Sequence, residues 1–203
     1  MYDNVFVGEN AHNQPKRILI LGESHYKEDG EFEGTASVVK YFAIDGNGKK
    51  NDKKFYHYIM RTFGYELTEE SSKEFWNKVY CGNYVCELCG KGKDNPAKKL
   101  IKDNRANYND SLFNFINENE IDIVFCFSRL VYNNLPGSAK GENEEKLFKH
   151  NTQYLNRYTY QPDCNHKHCN ITLNKKLTVY GLKHPSSAYS YEIYREQLKK
   201  IGL

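Results

Sequence analysis

The amino-acid sequence predicts an α/β fold, a three-layer α/β/α sandwich around a central, mostly parallel sheet. Short apolar, β-branched runs alternate along the 203 residues with stretches whose apolar residues recur at helical spacing. Three runs, Lys16–Gly22, Ile121–Phe127 and Leu177–Leu182, are dominated by apolar side chains, as expected of parallel strands covered on both faces. The length fits one domain over residues 1–203, with Cys/His-rich loops inserted at 86–96 and 161–170.

The first half of the chain contains two predicted strands with helices between them. The first strand ends at a glycine, where the backbone can turn sharply. A glycine- and asparagine-rich loop, Asp45–Asn51, ends the first helix. Thr68 lies three residues before Ser71 among acidic residues, a pattern typical of a helix N-terminus. The predicted elements are the strand Lys16–Gly22, the helices Thr35–Ile44, Phe55–Phe63 and Ser71–Lys78, and the strand Val79–Val85.

The second half continues the alternation. Residues Ala97–Asn117 are helical in places, with Leu112, Phe113 and Ile116 spaced along one face. Ser128 is suited to cap a short helix, which Pro136 and Gly137 then end. The other predicted elements are the strand Ile121–Phe127, a surface stretch at Gly141–Glu145, hairpin-like segments at Tyr154–Tyr160 and Asn170–Thr172, the strand Leu177–Leu182 and the helix Tyr191–Ile201.

The charge pattern leaves two interpretations open. The formal net charge is only +3, but lysines crowd the segments Lys49–Lys54, Lys91–Lys102 and Lys175–Lys183. They form either a modest basic face that follows phosphates or ordinary solvated surface. The sequence shows no apolar run of membrane-spanning length and no signal peptide, so we expect a cytoplasmic monomer without a membrane partner.

Polar segments follow three of the predicted strands. They are Gly22–Tyr26, Asn83–Cys89 and Lys183–Ser187, and ligands of α/β folds bind beyond the carboxyl ends of strands. The carboxylate of Glu23 can act as a general base on water or stabilise positive charge. His184 can donate a hydrogen bond to an oxygen that gains negative charge, and the serines after Pro185 can hold a phosphate.

In this order, the three segments resemble the uracil-DNA glycosylase superfamily. The first motif of that superfamily reads Gly-Gln-Asp-Pro-Tyr in one branch and Gly-Glu-Ala-Pro-Gly in another, and its last motif begins His-Pro-Ser. Gly22, Glu23 and Tyr26 match positions of the first motif, and residues 184–186 match the last. Val79–Asn83 resembles the middle strand, whose asparagine reads the base. The resemblance covers most of residues 16–203, and the His-Pro-Ser match is its most specific part.

The resemblance implies a DNA glycosylase that flips a base out of DNA and cuts its N-glycosidic bond, with DNA as partner. Glu23 and His184 are then the catalytic residues, and Asn83 reads the base edge. Tyr26 stands where some members block the thymine methyl group. Phe32 is the candidate stacking ring, with ordinary packing as the alternative.

Contacts to the DNA backbone are implied for residues next to these motifs. Ser24, Ser186 and Ser187 are the candidates for phosphate contact. Tyr189 follows the last motif where relatives insert an apolar wedge into the duplex, so it either fills the space left by the flipped base or only packs.

The sequence also departs from the family pattern. Ser24 occupies the position of the catalytic Asp in the Asp-using branch, so Glu23 resembles the acid of the Glu-using branch instead. His25 replaces the usual proline. These changes leave the base open: uracil or a modified pyrimidine, including the hypermodified pyrimidines of viral DNA.

Two Cys-rich loops predict a structural metal site. Cys86 and Cys89 have the spacing of a zinc knuckle, and the segment Cys164–Cys169 supplies the further ligands that tetrahedral zinc needs. We favour Cys164 and Cys169; Cys164 with His168, or His166 with Cys169, are alternatives. An iron–sulfur cluster, frequent in the Glu-using glycosylases, is less favoured because the Cys spacing differs. Cys81 and Cys126 lie in apolar strands and are predicted to be buried.

Two other functions compete with the glycosylase. One is a non-catalytic nucleic-acid or nucleotide-binding member of the same fold, favoured by Ser24 in place of Asp. The other is a Ser–His hydrolase with Ser24 as nucleophile and His184 as base. This second function is weakened by Tyr26, because the strained turn of such enzymes places glycine two residues after the serine.

Overall fold

The computed structural model of the protein describes residues 5–26, 34–51, 53–89, 96–137, 144–185 and 188–203. The strands are β1 (Phe6–Val7), β2 (Ile18–Gly22), β3 (His25–Tyr26), β4 (Tyr80–Asn83), β5 (Leu88–Cys89), β6 (Ile123–Cys126), β7 (Glu145–His150), β8 (Gln153–Tyr160) and β9 (Leu177–Leu182). The helices are α1 (Thr35–Val39), α2 (Lys54–Thr62), α3 (Glu69–Trp76), α4 (Pro96–Glu118), α5 (Arg129–Tyr132) and α6 (Tyr191–Lys200).

The fold is α/β, with a mixed seven-stranded sheet in the order β1-β4-β2-β6-β9-β8-β7. The four central strands, β4, β2, β6 and β9, are parallel, while β1 at one edge and β8 and β7 at the other pair antiparallel. The carboxyl ends of the four parallel strands therefore meet at one edge of the sheet. This confirms the predicted α/β class and its parallel centre.

Alternate residues of the central strands point into two apolar clusters. Leu19 and Leu21 belong to a cluster that includes Phe113 of α4. Ile20, between them, belongs to a cluster with Ile59 of α2 and Leu198 of α6. The central strands are thus covered on both faces, which explains why they contain almost no polar residue.

The helix predictions are largely confirmed. Thr68 caps α3, with its hydroxyl accepting from the Ser71 amide at 3.1 Å, and Ser128 caps α5 in the same way through the Val131 amide at 3.2 Å. The predicted helix Thr35–Ile44 begins as α1 and continues as one π-helical turn over Lys40–Ile44. The helix described as helical in places is α4, which has one kink, at Asn104.

The predicted pairing of Tyr154–Tyr160 with Asn170–Thr172 is wrong. Strand β8 instead pairs with β9 and with β7, an edge strand that the sequence did not predict. Asn151, with a φ of 52°, forms the tight turn between β7 and β8. Residues 170–172 are not a strand, because α4 side chains hold their backbone: Asp110 accepts from the Asn170 amide at 2.6 Å and Asn117 donates to the Thr172 carbonyl at 2.8 Å.

No helix among the described residues is both long and apolar enough to cross a lipid bilayer.

Candidate functional site

Four residues from distant parts of the sequence meet at the carboxyl edge of the central sheet. Asn83 is the last residue of β4, and Glu23 follows β2 directly. Ser128 lies two residues beyond β6, and His184 two residues beyond β9. Because these strands are adjacent and parallel, their polar ends line one crevice.

The carboxylate of Glu23 is held by Ser128. The Ser128 hydroxyl donates to Oε2 of Glu23 at 2.7 Å and at the same time accepts from the Val131 amide of α5. Ser128 is only 1% exposed, so this arrangement has little freedom. Ser128 was predicted as a helix cap, but its bond to Glu23 was not, because nothing local in sequence connects residues 23 and 128.

His184 shares the crevice with Glu23. Burial lowers the pKa of His184, while the nearby negative charge of Glu23 acts in the opposite direction. The strand end that carries it is fixed by two tyrosines: the Tyr154 hydroxyl donates to the Leu182 carbonyl at 2.8 Å, and the Tyr194 hydroxyl accepts from the Lys183 amide at 3.2 Å. A neutral imidazole at this position can donate one hydrogen bond to a ligand oxygen.

The side chain of Asn83 lies directly against Gly22. A Cβ atom at position 22 would be 2.3 Å from the Oδ1 of Asn83, so only glycine leaves room for this amide. The amide nitrogen donates to the Thr35 hydroxyl at 3.3 Å, which links Asn83 to the N-terminus of α1. The glycine predicted as a strand end thus has a second purpose, and Thr35 is a contact that the sequence did not indicate.

An aromatic ring is present in the crevice, but it was not the predicted one. Phe55 of α2 lies with its ring centroid 5.3 Å from that of His184, and its tip is 3.6 Å from the position of a Cβ on Gly22. Phe32, the predicted stacking ring, is outside the described residues. Phe55 was predicted to lie on a helix, but no sequence pattern indicates that this helix borders the site.

The other residues predicted to contact the base or the DNA backbone have different positions in the structure. Ser186 and Ser187 are outside the described residues, and of Tyr26 only the backbone, in β3, is described. Tyr189 is only 9% exposed, and its hydroxyl hydrogen-bonds that of Thr62 at 2.7 Å. This position agrees with the packing role left open for Tyr189, because a wedge would have to leave the interior.

The Cys86–Cys89 loop borders the crevice from the side of β2. Strand β5 pairs with β3 in parallel, with Tyr26 opposite Cys89, so the loop adjoins the Glu23 segment. Burial raises the pKa of Cys89, and the charges of Glu87 and Glu23 add to this effect against an opposing interaction with Ser24. Cys81 and Cys126 are buried as predicted, and burial raises the pKa of each thiol to about 12.

Both Cys-rich loops are attached to the same turn of α4. Tyr108 donates to the Glu87 carboxylate at 2.8 Å on one side, while Asn109 donates to the His168 carbonyl at 2.9 Å on the other. Among the described residues, however, no group of three or more Cys, His, Asp or Glu side chains lies close enough to hold a metal ion. The zinc site stays a prediction, and elemental analysis decides it.

A cavity of about 300 Å³ lies elsewhere, between the π-helical turn, α2 and α3. Its wall includes Asp45, Lys53, His57 and Glu69 and none of the predicted site residues. The cavity therefore contributes nothing to the argument for the crevice.

Comparison with models of known protein families found no match, and comparison with curated protein sequences found none either. Support for a function therefore comes from the residues of the crevice and from the motif resemblance.

Proposed function

We propose that the protein is a DNA glycosylase that hydrolyses the N-glycosidic bond of a flipped-out base and leaves an abasic site. The observation that carries the proposal is the position of Glu23 and His184 in one crevice, close enough for the carboxylate charge to influence the imidazole. The motifs that carry the resemblance, separated by most of the chain, are thus neighbours in space. We also infer a three-layer arrangement like that of the uracil-DNA glycosylases, supported by apolar clusters that contain α4 on one face and α2 and α6 on the other.

The reaction needs one group for each of the charges that develop. As the bond between C1′ and the base nitrogen breaks, its electron pair leaves with the base, and the sugar gains positive charge. The Glu23 carboxylate stabilises that charge and accepts a proton from the water that adds to C1′. His184, kept neutral by burial, donates a hydrogen bond to the base oxygen that gains negative charge.

The contacts around Glu23 suit this role. Ser128 engages one oxygen, Oε2, and fixes the carboxylate plane through the N-terminus of α5. The positive end of that short helix also favours a negative charge nearby. A carboxylate fixed in advance does not have to reorganise when charge appears on the sugar.

Asn83 and Phe55 suit recognition of the base. An amide supplies both a donor and an acceptor, so it can match the Watson–Crick edge of a pyrimidine. Contacts with Gly22 and Thr35 restrict the amide to one side of the crevice. The ring of Phe55, beside His184, is placed to contact the face of a base. The base is uracil or a modified pyrimidine.

The Ser–His hydrolase receives no support from this geometry. Among the described residues, the buried hydroxyl of Ser24 interacts with the Cys89 thiol and makes no hydrogen bond to a nitrogen or oxygen atom. It is therefore not joined to His184, whereas a serine nucleophile needs its base within hydrogen-bond reach.

The test is a panel of oligonucleotides, each with one uracil, thymine, cytosine or C5-modified cytosine, scored for abasic sites. We expect one of these bases to be released. Glu23→Gln and His184→Ala should each slow that release by about a hundredfold or more. DNA binding without abasic sites across the whole panel would favour the non-catalytic nucleic-acid-binding alternative. Full activity in either variant would remove that residue from the mechanism.

A further inference from the structure

A partly exposed group of cationic and aromatic side chains lies next to the crevice. Tyr58 is one helical turn beyond Phe55 on α2, and Phe55 contacts His184. The Tyr58 face is formed by Lys54, Tyr58 and Arg61 of α2 and Tyr191 of α6. The Tyr58 face adjoins the crevice at Phe55.

Tyr58 is the outer ring of a stacked column. Its ring lies parallel to that of Tyr189, with centroids 5.9 Å apart and planes 15° from parallel. Tyr189 in turn stacks on Tyr194 at 4.7 Å, and Tyr194 is fully buried. The two inner rings fix the plane of Tyr58, so a nucleobase that stacks on it meets a surface already ordered.

Two cationic side chains lie over the rings of this face. The ammonium of Lys54 is 5.4 Å from the centre of Tyr58, and the Arg61 guanidinium is 3.8 Å from the centre of Tyr191. Helix α2 contains no acidic residue. One carboxylate lies close by: Glu192 of α6 accepts from the Ser190 hydroxyl at 3.1 Å, and its charge interacts with that of Arg61.

We propose that the Tyr58 face binds an unpaired DNA strand next to the flipped nucleotide, with a neighbouring base stacked near Tyr58 and phosphates near Lys54 and Arg61. This inference rests on the proposed function, since it treats the crevice as the place of the flipped base. Aromatic rings beside cationic side chains are the combination that binds single strands without sequence preference.

The experiment measures binding of the full chain to fluorescently labelled single-stranded oligothymidylate by anisotropy. Tyr58→Ala should weaken binding about tenfold. Tyr58→Phe, which keeps the ring, should stay close to wild type. Lys54→Gln and Arg61→Ala should each lower the slope of log affinity against log salt by about 0.7. The matched control is Tyr65→Ala, because Tyr65 also has a lysine, Lys78, over its ring but contacts Phe75 instead of the crevice.

Unchanged affinity and salt slope in folded Tyr58→Ala, Lys54→Gln and Arg61→Ala would overturn the inference. Because Lys54 is exposed, Lys54→Gln leaves the fold intact even if Tyr58→Ala disturbs the tyrosine column. Binding and base release are separate readouts. A wild type that binds through Tyr58 but releases no base contradicts the proposed function and supports only the single-strand site, without a flipped nucleotide beside it. Base release by a protein whose DNA binding does not depend on Tyr58 supports the proposed function and contradicts this inference.

Discussion

Gly22 and Asn83 lie so close that the backbone of one determines where the side chain of the other can be. The Oδ1 of Asn83 occupies space that a Cβ at position 22 would need, with a separation of 2.3 Å. In the proposed enzyme this contact sets which edge of the base the amide meets.

Gly22→Ala is therefore expected to change base recognition more than stability. The clash is with the end of a side chain, which can rotate away, so the strand itself has no reason to move. We expect Gly22→Ala to change the order of preference among uracil, thymine and C5-modified cytosine, and Asn83→Ala to change that order in the same way. The control is Gly181→Ala, where the new methyl meets the buried Tyr132 ring at 2.6 Å. Gly181→Ala should lose stability and keep the base preference of wild type. The role of Gly22 would be refuted if Gly22→Ala and Gly181→Ala had the same order of base preference.

Ser128→Ala should affect stability and activity together. The substitution removes the cap of α5 and the hydrogen bond to Glu23. We expect unfolding to become easier by about 1–2 kcal/mol in urea denaturation, and base release to slow by about tenfold because the carboxylate is no longer held. Thr68→Ala is the matched control, since Thr68 caps α3 away from the crevice. It should lose about 1 kcal/mol of stability and no activity. Equal activity in both variants would contradict a positioning role for Ser128.

The pH dependence of folding should show the lowered pKa of His184. An unfolded chain binds a proton at His184 as pH falls through about 6.5, whereas the folded chain binds it only at lower pH. The corresponding stability is complete above about pH 6.5 and is lost as pH falls from there through the lowered folded pKa. The measurement is the difference in unfolding free energy between wild type and His184→Gln from about pH 5 to pH 8. The partly buried His57 and His166, whose pKa values are also lowered, titrate equally in both proteins, so the difference isolates His184.

Asn109→Ala should loosen the Cys/His-rich loop. Asn109 is fully buried, accepts from Tyr84 at 2.7 Å and donates to the His168 carbonyl at 2.9 Å. Its loss leaves these groups unpaired, so we expect a cost of about 2–4 kcal/mol and faster proteolysis within residues 161–170. Asn114→Ala, exposed on the same helix, is the control and should change neither. Unchanged cleavage in Asn109→Ala would show that other contacts hold the loop.

The sequence was sufficient for elements whose signals are local. The apolar runs gave the central strands, and Thr68 and Ser128 were recognised as caps because capping depends on neighbours in sequence. Strand β7 was missed because it is an edge strand with charged residues and no apolar alternation. The composition of Asn170–Thr172 is typical of a strand, but the backbone of this segment hydrogen-bonds to side chains of α4 instead of to a neighbouring strand.

For the site, individual residues could be predicted from the sequence, but their contacts with one another could not. Glu23, Asn83 and His184 were predicted because each lies at or just beyond the end of a strand candidate and matches a motif of the resemblance, features visible in sequence. The Ser128 bond to Glu23, the Thr35 bond to Asn83 and the position of Phe55 all depend on which strands and helices become neighbours. No local pattern encodes those contacts, so only the folded chain reveals them.

Glu23, Asn83, Ser128 and His184 lie at or just beyond the ends of four different strands of the parallel centre, of which β9 is the last in the chain. On a ribosome, where the chain emerges from its N-terminus, Glu23 appears long before the strand that carries His184. The crevice cannot exist until β9 has paired with β6. These four residues are therefore not together during nearly all of the synthesis of the chain.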